Sequence, residues 1–334
     1  MERLKLGIVG AGRLGSFHAS KATAHNEVEL VGVYDVNRFG AEKLAEKYQC
    51  RVFDSLAELA EQIQAAVIAI PSVLHFETAK FLLGKQISLL IEKPMTTTSS
   101  DAKTLLELAE KNSVQMTVGH TEQYNPAWFS AKSLLQSGVP CLIDARRTSG
   151  YTFRSTDIGA VLDLMIHDLD LILSAVPSNI LKIDAFSFST IGGFEDFTQA
   201  RLTFENGTVA NFTASRIEHD VERVMKVSSA YQTMIVNFAT RTIRSIHVSD
   251  DVKVGRFLPD HVAPETIAEI QPDFMVKNLP FSELAYDSCD ALAEEMADFV
   301  NVVLHHKKSI VPASQAAYAV EIAEKILSCS SGCV

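Results

Sequence analysis

Tryptophan occurs once in 334 residues, proline ten times and cysteine five times, and basic residues are outnumbered by acidic ones, 30 to 41. The last two scarcities each close a class of function. Cys50, Cys141, Cys289, Cys329 and Cys333 are scattered, odd in number and form no C-x-x-C pair. A disulfide framework or a zinc knuckle needs paired spacings, so these read as reduced thiols of a cytoplasmic protein. Cys329 and Cys333 lie close enough to share a metal, but no histidine follows them, and no metal site is expected. A net charge of −11 with no basic run argues against duplex nucleic acid as partner. No apolar run approaches the roughly 18–20 residues of a membrane span. Arg3, Lys5 and Ala22-Thr23-Ala24 imitate a secretory leader. Gly10, Gly12, Arg13 and Gly15 break that stretch, which reads better as a strand entering a turn.

What the chain does have is apolar material, 47% of residues against 21% charged. That is the balance of a folded globular protein, and at roughly 150 residues per domain the length calls for two domains. Short apolar runs at Leu4 to Val9, Val28 to Tyr34, Ala65 to Ile70, Ile87 to Ile91 and Gln115 to Val118 read as buried strands. Helical segments alternate with them, up to Ala24, at Ala41 to Tyr48, from the capping box Ser55-x-x-Glu58, at His75 to Leu83 and at Asp101 to Lys111. Strand–helix alternation predicts a parallel sheet covered on both faces. After a helix around Pro126 to Gln136 strands dominate, at Cys141 to Thr148, Ile183 to Thr190, Gln199 to Phe204, Thr208 to Ser215, Val224 to Val227 and Met234 to Phe238. Asn206-Gly207 is a hairpin signal. A helix at Val161 to Ser174 interrupts them, and helices at Leu284 to Leu304 and Ala313 to Leu327 close the chain. The second half therefore reads as a mainly antiparallel sheet with helices on one face and the other open, an interaction surface. The two domains are placed at 1–121 and 122–334.

Gly10-Ala11-Gly12-Arg13-Leu14-Gly15 is G-x-G-x-x-G between a strand and a helix, the context of a dinucleotide-binding turn. Gly10 makes the turn, Gly12 admits a pyrophosphate, Gly15 packs helix on strand, and the helix N-terminus attracts the anion. Asp35 follows twenty residues after the last glycine, where an acid meets the adenosine ribose and favours NAD. Arg38 is of the kind that accommodates a 2′-phosphate, so NADP stays open. Glu92-Lys93-Pro94 ends a parallel strand, the edge where ligands bind in such sheets, and a lysine there can help move a hydroxyl proton. Asp163 and His167 stand at i and i+4 of a helix. A carboxylate one turn before an imidazole orients it as a general base. Asp168 is sent to another face, so a metal reading lacks its third ligand.

Taken together, Ile8-Val9-Gly10-Ala11-Gly12, Ala69-Ile70-Pro71-x-x-x-His75, Glu92-Lys93-Pro94 and the Asp163–His167 helix resemble the glucose–fructose oxidoreductase / inositol dehydrogenase / MocA (Gfo/Idh/MocA) family across essentially the whole chain. The resemblance implies an N-terminal Rossmann domain, here 1–121, and a C-terminal α+β domain, here 122–334, for substrate and oligomerisation. It implies that Arg13, Leu14, Pro71, His75 and Glu92 join the glycines and Asp35 around NAD. Lys93 is then the site lysine and Asp163 with His167 the catalytic pair. Gly119-His120-Thr121-Glu122-Gln123-Tyr124-Asn125-Pro126 and the run from Arg154 to Asp168 are similar to bacterial UDP-N-acetylglucosamine 3-dehydrogenases. One departure is Gln123, which stands where that segment carries Arg. The implied activity is oxidation of a sugar ring hydroxyl to a ketone, with Tyr124, Asn125 and Arg154 added to Lys93 and His167 as substrate contacts. A free sugar, an inositol or another cyclic polyol is the alternative substrate, and a non-catalytic NAD sensor the alternative from another class. The implied assembly is a homodimer or homotetramer.

Overall fold

Strands β1 (Leu4–Val9), β2 (Val28–Tyr34), β3 (Arg51–Val52), β4 (Ala65–Ile68), β5 (Ser88–Glu92) and β6 (Met116–Gly119) form a parallel sheet in the order β3-β2-β1-β4-β5-β6. The structure is a computed structural model and describes residues 3–258, 261–287 and 289–332. β4, β5 and β6 are buried at every position, as a sheet covered on both faces requires. Helices α1 (Arg13–Ala24), α2 (Arg38–Tyr48), α3 (Leu56–Ala60), α4 (His75–Gly84) and α5 (Ser99–Asn112) are the crossovers. The strand order reverses between β1 and β4, and the carboxyl ends there open the crevice in which such sheets bind ligands.

The second sheet has nine strands in the order β14-β13-β12-β11-β7-β10-β9-β8-β15. In chain order these follow α6 (Pro126–Gln136): β7 (Leu142–Thr148), then α7 (Ile166–Ala175), β8 (Ile180–Phe188), β9 (Phe197–Phe204), β10 (Val209–Ser215), β11 (Glu222–Ser228), β12 (Gln232–Asn237) and β13 (Thr242–His247). Pairing is antiparallel except β7 with β10 and β8 with β15. Gly207, at φ +85°, makes the β9–β10 turn that Asn206-Gly207 announces. Three short helices, α8 (Asp250–Lys253), α9 (Pro264–Ile270) and α10 (Phe274–Asn278), precede the edge strand β14 (Phe281–Ala285). This insertion and β13 have no counterpart in the sequence-based expectation.

The chain ends with α11 (Ala291–His305), α12 (Ala313–Cys329) and β15 (Ser330–Ser331). The expected helix from Leu284 is thus corrected: Leu284 lies in β14, and the helix opens only where Asp290 caps the N–H of Ala293. Helix α11 returns to the first sheet, burying Met296, Phe299 and Val300 against Leu4, Leu6 and Ile8. Helix α12 packs on both α5 and α7, joining the halves. Alternation along the second sheet sends Ile143, Ala145, Ala200, Leu202, Ala210 and Phe212 to the helix side, all buried. The other side is open, with a groove of about 640 Å³ lined by Asp144, Arg146, Asp184, Phe186 and Arg201 among others. No helix among the described residues is long and apolar enough to cross a membrane. Cys333 falls outside the described residues.

Candidate active site

The turn after β1 is shaped by close approach. Gly10 has φ +103°, and a Cβ there would sit 2.3 Å from the Ala69 carbonyl oxygen. A Cβ on Gly15 would fall 1.8 Å from the Gly10 oxygen, so the helix can start only if position 15 is bare. Gly12 differs: a Cβ on it meets nothing within 4 Å. The space over Gly12 is open, which is what a phosphate approaching the backbone needs. Helices α2, α3 and α5 carry side-chain caps from Asn37, Ser55 and Thr98, whereas α1 begins at Gly12 with none. Its first-turn N–H groups are left for an anion.

Asp35 accepts from the backbone N–H of Ala11 at 2.6 Å and of Asn37 at 2.7 Å, which fixes its carboxylate beside the turn. The Arg38 guanidinium is engaged by Glu42 at 2.9 Å and by Asp54, so carboxylates occupy the group a 2′-phosphate would need. The residues present therefore fit NAD: the glycine turn for the pyrophosphate and Asp35 for the ribose. Arg13 and Leu14, both exposed, open α1 at its rim.

At the end of β5 the side chains part company. Lys93, 17% exposed, donates from Nζ to the Asp163 carbonyl at 2.7 Å and to its Oδ1 at 2.9 Å. The expected Asp163–His167 contact is corrected by this bond. Residues Val161–Met165 form a π-helical turn, and α-helical spacing holds only from Ile166. A wider turn changes which side chains meet, and the lysine charge takes the carboxylate. The half-buried His167 has Nδ1 buried without a partner, and no hydrogen bond holds its Nε2 among the described residues. Burial, then the positive charges of Lys93, Arg147 and Arg223, hold its pKa well below the ordinary histidine value. The ring is neutral near pH 7 and able to accept a proton.

His120 stands edge-on to His167, with ring centroids 6.3 Å apart. It is buried, both its nitrogens lack hydrogen bonds among the described residues, and its Nδ1 lies 4.0 Å from Asp170. Beneath it Arg147 makes a two-point ion pair with Asp168, at 3.1 and 2.8 Å, and a third bond to Glu122 at 3.0 Å. His120, Arg147 and Arg223 were not singled out from sequence. His120 was visible in the G-H-x-E run, but nothing in the order of residues brings it to His167.

Other expected site residues are committed elsewhere. Glu92, expected beside the cofactor, is buried and meets His18 Nε2 at 2.7 Å. Burial pushes its carboxyl up, yet the bond and charge of His18 hold it below the usual range. Glu295 of α11 completes a buried trio with these two, and neither of its oxygens has a hydrogen-bond partner among the described residues. Burial and the nearby Glu92 push its carboxyl well up, which favours its protonated form. His75 is buried, its ring between the carbonyls of Pro94 at 2.8 Å and Ile70 at 3.0 Å. It thereby ties the end of β4 to the turn after the cis Lys93–Pro94 bond, while Pro71, four residues before it, is exposed. Tyr124 and Asn125, expected as substrate contacts, are also engaged within the protein. The Tyr124 hydroxyl donates to Asp298, and the Asn125 amide donates to Glu122 and the Phe238 carbonyl while its oxygen caps α6. Both are buried. Arg154 is exposed on the loop before Val161. Gln123 is fully buried, donating to Asp170 at 2.8 Å and accepting from Trp128 Nε1 at 3.2 Å. The departure at 123 therefore alters a buried amide network and no exposed contact.

Two family descriptions match the chain: "oxidoreductase family, NAD-binding Rossmann fold" over residues 4–120 and "GFO/IDH/MocA C-terminal domain" over residues 113–244. The UDP-N-acetylglucosamine 3-dehydrogenase of Acidithiobacillus ferrooxidans is 31% identical over 309 residues, spanning 92% of this chain and 91% of that one. Its solved structure superposes with a TM-score of 0.83 at 27% identity, covering 99% and 98% of the two chains. Glucose-6-phosphate 3-dehydrogenase of Bacillus subtilis is 34% identical over 131 residues, 39% of this chain and 37% of its own. A protein of gentamicin A biosynthesis solved in complex with NAD shares the fold, with a TM-score of 0.80 at 18% identity over 99% and 95% of the chains.

Proposed function

The chain belongs to the Gfo/Idh/MocA oxidoreductase family, and from that premise we propose that it oxidises the 3-hydroxyl of UDP-N-acetylglucosamine, or of a closely related nucleotide sugar. It is an NAD-dependent sugar dehydrogenase. When bound, NAD supplies the hydride acceptor. The observation that carries the chemistry is the pairing of a neutral, unpartnered His167 with a lysine that has one donor to spare. Lys93 has three N–H donors, and Asp163 takes two. The third is free to bond the reacting oxygen, and Asp163 fixes its direction. His167 accepts the hydroxyl proton, and its depressed pKa keeps it in the base form as the ammonium stands nearby. Such base catalysis contributes about 10²–10⁴-fold. His120 and the Arg147–Asp168–Glu122 cluster hold the wall behind His167. The nucleotide-sugar assignment is supported by the likeness to the Acidithiobacillus enzyme over 92% of this chain. The partial likeness to a glucose-6-phosphate 3-dehydrogenase supports a sugar without the nucleotide as the second reading.

The test is the absorbance of reduced nicotinamide on mixing protein, NAD⁺ and UDP-N-acetylglucosamine. Glutamate and an aminotransferase are included to draw off the ketone. Signal here, and none with N-acetylglucosamine, glucose 6-phosphate or inositol, is expected. Signal with any of those three and none with the nucleotide sugar would overturn the substrate assignment.

A further inference from the structure

The nucleotide-sugar reading leaves open where the part of the substrate remote from the reacting carbon is held, and the following rests on that reading. We propose that Arg223 and the Tyr151–Phe153 aromatic pair form a subsite for a nucleoside diphosphate, Arg223 taking the phosphates and Phe153 the base. The register places Arg223. Asp144 and Arg146 of β7 line the open groove, so Arg147 beside them faces the helices, where it meets Asp168. Arg223 is the residue directly opposite Arg147 on β11, and residues directly paired across strands project to one side. Arg223 therefore stands on the helix side, at the end of the sheet that carries the Arg147 cluster, near enough for its charge to act on His167.

Charge matching sets it apart from Lys93 and Arg147; Arg154, exposed on the loop that carries Phe153, is the other arginine there without an ion-pair partner among the described residues. Lys93 is answered by Asp163, and Arg147 by Asp168 and Glu122. Arg223 is exposed and has no ion-pair partner among the described residues. In a chain of net charge −11, an unanswered guanidinium at the rim of the site fits an anion brought by the ligand. Arginine meets phosphate with two parallel bonds.

The loop that leaves the same end of β7 supplies the flat surface. Phe153 is 83% exposed, and its φ of +56° is one that a bulky residue rarely adopts. It is held up from below. Tyr151 meets its ring edge-on at 5.0 Å, and the Arg216 guanidinium lies 5.5 Å from the Tyr151 ring. Arg216 is itself buried and fixed by Asp196 at 2.6 Å and by the Ile158 carbonyl at 2.8 Å. At its far end the loop reaches the first half, where Asp157 accepts from the Val73 N–H at 3.4 Å, two residues past Pro71. A strained backbone that keeps an apolar ring in water points to a partner for that ring. The coenzyme's own adenosine is directed elsewhere, to Asp35 at the end of β2.

Calorimetric titration of UDP into protein saturated with NADH tests the subsite without turnover. Wild type is expected to bind UDP. R223Q and F153A should each weaken it about tenfold or more, R223K should recover part of the R223Q loss, and NADH affinity should stay unchanged in all. UDP binding equally to all variants, or not at all to wild type, overturns the proposal. So does F153A that separates an oligomer while UDP affinity is unchanged, which would make Phe153 a contact between copies. UDP bound as expected by a protein that fails to oxidise UDP-N-acetylglucosamine would leave the subsite standing and overturn the reaction assignment instead.

Discussion

At the carboxyl end of β1 the site is made of backbone, and at the carboxyl end of β5 it is made of side chains. The first region binds by what is missing: no Cβ at Gly12, no side-chain cap on α1. Its parts lie within six consecutive residues, plus Asp35. The second region brings together Lys93, Asp163, His167 and His120 from three separate stretches of chain. A backbone site tolerates no added atom, and a side-chain site tolerates no lost functional group. The two regions should therefore fail differently when altered.

The largest effect is expected at the side-chain region. His167→Asn should lower kcat by about 10²–10⁴-fold while NADH affinity, read by fluorescence titration, stays unchanged. A kcat near wild type would remove His167 from the base role. Gly12→Val should do the opposite. Its side chain enters open space, so the ligand-free protein should melt as wild type does. The stabilisation that NAD confers, about 2.7 kcal/mol at a hundredfold excess over Kd, should vanish. Gly15→Ala sharpens the contrast, because its Cβ strikes the Gly10 oxygen. It should cost about 1–3 kcal/mol of stability even without NAD.

A fourth alteration tests the buried trio between the regions. The Glu295 carboxyl has its pKa raised by folding, so the folded chain holds a proton that the unfolded chain releases. Stability from that group is full below the ordinary glutamate value and falls as pH rises toward the folded one, by about 1.4 kcal/mol for each pH step between the two. Glu295→Gln should match wild type near pH 5 and melt progressively higher than wild type above it. A constant difference at all pH values would contradict the protonated state. The smallest effect concerns the pH profile. The acid limb of kcat/KM should fall below pH 6.5, because burial and the Lys93 charge depress His167. Residual turnover of Lys93→Met should show that limb moved upward. An unmoved limb would separate the lysine charge from the base.

The same contrast explains what the residues disclosed in advance. The glycine turn, Asp35, both sheets, the β9–β10 hairpin and the open face were legible because each depends on local spacing or alternation. The i,i+4 spacing of Asp163 and His167 points to a direct contact only in an α-helix; this turn is π-helical, and Asp163 meets Lys93 instead. Glu92, Tyr124 and Asn125 lie near Lys93 and His120 in sequence, but their partners, His18, Asp298 and Phe238, are far along the chain. Leu284 continues an apolar pattern that suits helix or strand alike, and the choice is made by its pairing with Ile243. Arg223 carries no local mark at all. Only the register with Arg147 brings it to the site.

The most direct test of the whole account is to supply UDP-N-acetylglucosamine deuterated at carbon 3 and follow the label into reduced nicotinamide by mass spectrometry. Deuterium carried to the nicotinamide, with a slower single turnover than the unlabelled sugar, is the expected result. Reduced nicotinamide formed without the label would place the oxidation at another carbon and contradict the account.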